Sequence, residues 1–469
     1  MSQRRRRRAC SGDRMNKATQ QNAMMLASLL GVGEAEAGER LARTVLITAA
    51  PGWKSGWAVE VGELIGRTVQ VSHQQEPTDP DLELVIGDVT PRTSARRVYA
   101  DLGSEGAAAS LEPVAKLAGE PHGLYAAAAA CAVSAVVVHA VIDAADLPQA
   151  RLPMRLDYAQ LGVPNGALDL RVDVGHAVMA GAGAVAHAFL KAARHIDIHG
   201  DLAIVDPKVV QGGILNRCLY LEDNDVDRQK AEVLAERAQR DFPHLRLLPF
   251  VTDFKAYVRQ LGHPPETVFV TVDSRLVRRS IQLEVPRRII DASTTDASGV
   301  IVHSNVLPTQ HACLACIYRH VPEEHARERS IAEGLGVDLA DVQAGLITAE
   351  VARRIVRTHK SIDGDAIVGL AFDSLFRQLC SEQALATPEG RQVLAPFAFV
   401  SAWAGVMMAV EMLRSFAGAA KTNYWSVDPW NTPKARGRML RQRHPECQFC
   451  SKPEYEPIIQ SLWGELAEA

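Results

Sequence analysis

Residues 177–186 read Ala177-Val178-Met179-Ala180-Gly181-Ala182-Gly183-Ala184-Val185-Ala186. The first four predict a buried strand, and Ala182 to Ala193 predicts a helix, so the two glycines fall at a strand-to-helix turn. Gly181 permits the tight turn, Gly183 lets the backbone approach a phosphate, and Ala186 takes the third small position, where helix packs on strand. The helix start offers free N–H groups and a partial positive charge. The next strand, Leu202-Ala203-Ile204-Val205, ends at Asp206, about 20 residues on, where a carboxylate can bind ribose hydroxyls. By itself this unit suits a dehydrogenase as well as an ATP enzyme.

Outward from this unit the alternation continues. Asp227 to Arg240 predicts a helix, and Leu245-Arg246-Leu247-Leu248 and Val268-Phe269-Val270-Thr271-Val272 predict strands. The expected fold is therefore α/β, a Rossmann-like domain with a mostly parallel sheet and helices on both faces. Downstream, Glu323–Leu335, Leu339–Gly345, Ala349–Thr358 and Phe397–Phe416 read as helices. Upstream, strand Thr44–Thr48, helix Gly56–Ile65, strand Leu82–Ile86 and helix Leu124–Ala144 make a smaller α/β block with no phosphate loop. The glycine- and proline-broken stretch Pro153–Asp173 reads as a linker. The expected domains are a polar basic tail at 1–40, an N-terminal α/β domain at 41–165 and a second domain at 166–469.

The chain has 469 residues, 47% of them apolar, and a net charge of -4. That supports buried cores and gives no sign of a nucleic-acid or membrane partner. The start, MSQRRRRRAC, has a basic run without the apolar stretch of a secretory signal. Ala126–Val141 and Phe397–Leu413 are apolar but fall short of the roughly 20 residues of a spanning helix. They read as core helices of a cytoplasmic protein. Four of the eight cysteines form two C-x-x-C pairs, Cys313/Cys316 and Cys447/Cys450. Two such turns can complete a tetrahedral thiolate shell, so Zn²⁺ is the expected metal. It would pin the C-terminal segment to the sheet domain. His303 and His311 lie near the first pair and read as core or loop residues.

The run from Val205 through Asp206, Lys208, Ile214, Asn216 and Arg217 is followed by Lys230 at a helix start and Asp273 at a strand end. This order resembles the ubiquitin-activating, ThiF/MoeB-type adenylyltransferases. A dehydrogenase has no need of an Arg and a Lys converging on a polyphosphate; an adenylating enzyme has, because charge develops on the phosphates. The resemblance implies that Gly181 and Gly183 cradle ATP and that Asp206 binds its ribose. Arg217 and Lys230 would meet the triphosphate, Asp273 would hold Mg²⁺, and Asn216 would hydrogen-bond a phosphate. This chain departs from the family in having Lys208 for a second acidic residue, Ile214 for an Asn, and Ala186 for a third glycine.

Cys380 precedes the loop Ser381–Arg391 and the long helix near Phe397, an order that resembles the family's crossover-loop cysteine. A thiolate there would attack an acyl-adenylate and form a thioester. Of the remaining cysteines, Cys10 lies in the tail, Cys131 in an apolar helix and Cys218 beside Arg217. The N-terminal block resembles an inactive copy of the adenylation fold. The resemblance implies activation of a ubiquitin-like protein's C-terminal carboxylate, transfer to a conjugating partner, and a homodimer or pseudo-dimer. Rival readings are a sulfur-carrier adenylyltransferase of molybdopterin or thiamine synthesis, a peptide-modifying enzyme of antimicrobial synthesis, and a non-catalytic scaffold. Arg217, Lys230 and Asp273 argue against the scaffold.

Overall fold

The computed structural model describes residues 3–73, 79–295, 297–319, 322–360, 362–381, 397–419 and 421–464. Two helices lead, α1 (Gln3–Leu30) and α2 (Glu34–Leu41). The first sheet follows with β1 (Thr44–Ala49), α3 (Trp53–Gly66), β2 (Gln70–Ser72), β3 (Leu82–Ile86), β4 (Arg96–Leu102), β5 (Gly106–Ser110), α4 (Gly123–Ile142) and β6 (Met154–Asp157). Its strand order is β2-β1-β3-β4-β5-β6, parallel as far as β4 and antiparallel beyond it.

The second sheet begins with β7 (Val172–Ala180), α5 (Ala184–Ala193), β8 (Ile198–Val205), α6 (Lys230–Ala238), β9 (Leu245–Phe250), α7 (Phe254–Leu261), β10 (Thr267–Val270) and α8 (Arg275–Leu283). A hairpin, β11 (Arg288–Thr295) and β12 (Gly299–Val306), comes next. The helices α9 (Leu314–Ile317), α10 (Pro322–Leu335), α11 (Leu339–Ala344), α12 (Ala349–Thr358), α13 (Gly364–Ile367) and α14 (Phe372–Ser381) follow. The chain continues with α15 (Ala398–Phe416), β13 (Tyr424–Val427), β14 (Arg438–Met439) and α16 (Tyr455–Trp463). The order β14-β13-β12-β11-β10-β7-β8-β9 is parallel from β11 to β9, as helical crossovers require, and antiparallel through the hairpins.

Four layers result. Helices α3 and α4 lie on the small sheet, α5 and α15 on the large one, and α4 packs on α15, so one apolar core spans both sheets. Helices α7, α8 and α9 cover the other face of the large sheet, with Phe254, Tyr257 and Ile281 against Val178, Val268 and Ile289. Helices α4 and α15 are long and apolar enough to cross a membrane by composition, yet 83% of the most apolar 18-residue stretch of each is buried inside this fold. Core burial accounts for their apolarity without a bilayer.

The stretch 153–173 differs from a plain linker, because Met154–Asp157 pairs with β5 and extends the small sheet. At the mouth of that sheet, after β1, the Lys54 ammonium is buried against Asp101. Nearby, burial would raise the Glu83 carboxyl. Hydrogen bonds from Arg92 N and from Thr48 and Thr93 outweigh that and hold it below its ordinary value.

Candidate nucleotide site and cysteine cluster

The turn between β7 and α5 shows why Gly181 is required. Its φ is +101°, and an added Cβ would lie 3.1 Å from Val272 N and 3.2 Å from Val272 Cα, two residues beyond the neighbouring strand β10. Thr271 Oγ1 donates to the carbonyls of Ala180 (3.0 Å) and Gly181 (2.8 Å), stitching the two strand ends together. Gly183 caps α5, and nothing lies within 4 Å of its Cβ position, so the helix start opens onto space. Ala186 is fully buried, as a tight helix–strand contact demands. The buried Asp206 accepts from Ala182 N and Lys208 N, both at 2.8 Å. It therefore holds the glycine loop as well as bordering the site.

These elements surround a cavity of about 1310 Å³. Ligand pockets commonly measure about 300–1,000 Å³, so there is room for a nucleotide and a second substrate. Gly181, Gly183, Asp206, Arg217, Lys230 and Asp273 all line it. Burial pulls Arg217 and Lys230 below their ordinary values, against the attraction of nearby acids. Among the described residues neither forms an ion pair. Two desolvated cations outside any ion pair of the described residues, beside a helix N-terminus, make a site for a polyanion. The Asp273 side chain is 51% exposed, 3.6 Å from Lys208 Nζ, and accepts from Ser374 Oγ at 2.8 Å. Lys208 thus sits where the resemblance would place an acid, and pairs with the candidate Mg²⁺ ligand.

Asn216 does not line the cavity. It is buried, donates to Asn22 Oδ1 (2.7 Å) and accepts from Arg217 Nη1 (2.8 Å), so one N–H and the oxygen of its amide are engaged by protein partners. Cys218 does line the cavity, but burial pushes its thiol up against the pull of Arg217, which disfavours the thiolate.

Cys313, Cys316, Cys447 and Cys450 converge, with all four sulfurs within 4.8 Å of one another. The Sγ separations are 3.7 Å for Cys313–Cys316, 3.7 Å for Cys313–Cys447 and 3.3 Å for Cys316–Cys450. A tetrahedral Zn–S shell at about 2.3 Å has S···S edges of about 3.8 Å, so this donor set fits zinc. His444 N donates to Cys316 Sγ at 3.4 Å, as backbone amides do to metal thiolates. The cluster staples the α9 region to the C-terminal segment, with Phe449 buried and Trp463 Nε1 donating to Val285 O (2.9 Å). His303 is fully buried and bonds Ala312 O at 3.1 Å, and His311 bonds Gln442 at 3.3 Å.

Residues 165–449 match the ThiF family, and residues 15–164 match the E1 N-terminal domain. The chain belongs to the ThiF family. Its fold is the adenylyltransferase fold of that family, preceded by an E1 N-terminal domain, and ATP is the nucleotide that goes with the family. An uncharacterized protein, y4jF, of Sinorhizobium fredii (strain NBRC 101917 / NGR234) is 28% identical over 71% of this chain and 68% of its own length. Among solved structures, E. coli MccB with ATP is similar at 12% identity and a TM-score of 0.37, over 61% of this chain and 69% of that one. The microcin C7 biosynthetic enzyme MccB with N-formylated MccA is similar at 14% identity and a TM-score of 0.39, over 62% and 72%.

Two contributors to this ThiF-family site carry no sequence signal of their place in it. Helix α1, where residues 3–30 read as tail, brings Lys17, Gln20, Gln21 and Met24 to the cavity wall. Helix α14 brings Ser374 onto Asp273 across 101 residues of chain. The apolar spacing of Phe372, Leu375, Phe376 and Leu379 could have flagged α14 as a helix but not its target. Cys380 belongs to the last turn of α14. Its side chain, and the loop residues 382–396, lie outside the described residues.

Proposed function

We propose that this protein adenylates the C-terminal carboxylate of a ubiquitin-like protein. The observation that carries the reading is the pair of desolvated cations, Arg217 and Lys230, which form no ion pair among the described residues and face a cavity beside the α5 N-terminus. ATP would lie with its phosphates over Gly183 and the helix start, its ribose at Asp206, and its triphosphate against Arg217 and Lys230. The carboxylate oxygen attacks the α-phosphorus, and pyrophosphate leaves as the acyl-adenylate forms. Mg²⁺ suits this site, because it binds through one or two carboxylates plus phosphates, and Asp273 supplies an exposed carboxylate at the cavity. When bound it would neutralise charge on the leaving phosphates.

The finer reading extends this to a thioester. Cys380 would displace AMP from the acyl-adenylate and pass the acyl group to a conjugating enzyme, with the chain acting as a homodimer or as a pseudo-dimer of its two domains. Zn²⁺ on Cys313, Cys316, Cys447 and Cys450 would hold the C-terminal segment in place and take no part in the chemistry. A sulfur-carrier adenylyltransferase would stop at the adenylate. The test incubates the protein with Mg-ATP and a candidate carrier protein. Carrier-dependent exchange of pyrophosphate into ATP that is lost in Arg217→Ala supports adenylation. A thiol-sensitive adduct on a non-reducing gel, absent in Cys380→Ala, supports the thioester. An adduct that survives in Cys380→Ala moves the nucleophile elsewhere, and no exchange with the correct carrier defeats the reading.

A further inference from the structure

Helix α1 is separated from the glycine loop by the whole first sheet in sequence, yet it lies against the 3-10 turn Gly212–Asn216 that carries Arg217. The approach is close. An added Cβ at Gly213 would stand 2.2 Å from Gln21 Oε1, so any larger residue there would displace the Gln21 side chain. Ala18 packs against the apolar residues Leu215, Cys218 and Val233 beneath the turn.

From this helix one continuous chain of hydrogen bonds runs to the cavity. Asn22 Nδ2 donates to Arg67 O at 2.7 Å, which fixes the Asn22 amide. Asn22 Oδ1 accepts from Asn216 Nδ2 at 2.7 Å, and Asn216 Oδ1 accepts from Arg217 Nη1 at 2.8 Å. Asn22 and Asn216 are 7% and 4% exposed, so water does not compete for these bonds. Arg67, at the end of α3, clamps the same turn from the other side. Its guanidinium donates to the carbonyls of Leu215 (2.5 Å) and Leu219 (3.3 Å). Each of the two amides has its oxygen and one N–H committed, so the order of the amides is set and the guanidinium, which only donates, has one preferred orientation.

We propose that Asn22 is a positioning residue for Arg217, through which helix α1 becomes part of the triphosphate-binding site in the same chain. This rests on the reading of Arg217 as a triphosphate ligand. Asn22 touches no substrate. It fixes the Asn216 amide, which fixes the guanidinium, so that the cation is in place before ATP arrives. In Asn22→Ala the Asn216 donor is left buried without its acceptor, the amide rotates, and Arg217 must be ordered at the moment of binding. The N-terminal helix is thereby a requirement of nucleotide affinity and not only of folding.

The test titrates the full-length protein with Mg-ATP and, separately, with AMP, using isothermal calorimetry, so no carrier protein is needed. AMP lacks the phosphates that Arg217 would meet. Asn22→Ala is expected to weaken ATP about ten-fold and leave AMP within about two-fold, a loss of the size of one buried hydrogen bond. Asn216→Ala, which breaks the relay at its other link, is expected to do the same. The double variant Asn22→Ala/Arg217→Ala is expected to bind ATP no worse than Arg217→Ala alone. Equal losses for ATP and AMP in both relay variants, or losses that multiply in the double variant, would make Asn22 a structural residue and overturn the proposal. So would unchanged ATP affinity in Asn22→Ala when Arg217→Ala is impaired. If the wild type does not bind ATP, or Arg217→Ala binds it as well as the wild type, the nucleotide reading fails first and the positioning role falls with it.

Discussion

Replacing Lys230 with methionine should weaken nucleotide binding while leaving the fold as stable as before or more so. Lys230 is the first residue of α6, a cation at the positive end of a helix. That arrangement costs about 0.3–1 kcal/mol. Its ammonium is also desolvated, with its pKa pulled down mainly by burial, and it forms no ion pair among the described residues. Methionine keeps the length and the apolar stem, and the backbone bond from Lys230 N to Lys208 O (2.9 Å) is untouched. A charge-assisted hydrogen bond to phosphate contributes about 1.5–3 kcal/mol, so the Kd for Mg-ATP should rise about 10- to 150-fold. The pH dependence has a definite sign. The folded pKa lies below the unfolded one, so the charged lysine destabilises the fold fully below the folded pKa, and the cost fades as pH rises through it towards 10.5. The advantage of Lys230→Met in thermal stability should therefore be present at pH 7 and shrink in strongly alkaline buffer. Calorimetric titration with Mg-ATP and thermal melts at both pH values measure the two effects. Unchanged ATP affinity would remove Lys230 from the phosphate site, and a loss of affinity together with a lower Tm would make it a structural residue.

Gly181→Ala should abolish ATP binding and lower stability by about 1–3 kcal/mol, because φ +101° is strained for alanine and its Cβ would press on Val272; urea melts and ATP titration check both. Purified protein should carry one zinc per chain by elemental analysis, lost in Cys447→Ser, and a strong chelator should make the chain after Met439 sensitive to limited proteolysis, since the thiols are what tie it to α9. Burial holds His187 at about 3 and His303 at about 4, the latter despite its bond to Ala312 O. Both fall below the unfolded value, so their neutral forms favour the fold above pH 6.5 and that stability is lost as pH falls towards these values. Together they should lower stability by about 3–4 kcal/mol between pH 7 and pH 5, read as a drop in urea midpoint, and His303→Gln should remove about half of the effect.

Several features of this protein are legible in the order of residues alone. A strand ending in Gly181-Ala182-Gly183, a helix after it and Asp206 at the next strand end are local patterns, set by backbone geometry over a few residues, and the structure keeps them where the sequence puts them. The C-x-x-C pairs are equally local, and thiolate chemistry predicts their meeting even across the 134 residues between Cys313 and Cys447. Strands β4, β5, β11 and β12 were not legible. In β4 and β11 alternation is blunted by the polar runs Arg96-Arg97 and Ser293-Thr294-Thr295, and all four are held by pairing with neighbours. Only the tertiary structure decided that α1 closes the cavity, that Asn216 turns away from it towards Asn22 and that Ser374 meets Asp273. The physical reason is common to all three. An uncharged amide or hydroxyl carries no periodicity and no preferred partner in sequence, so its role is set by which distant segment the packed core brings within 3 Å of it.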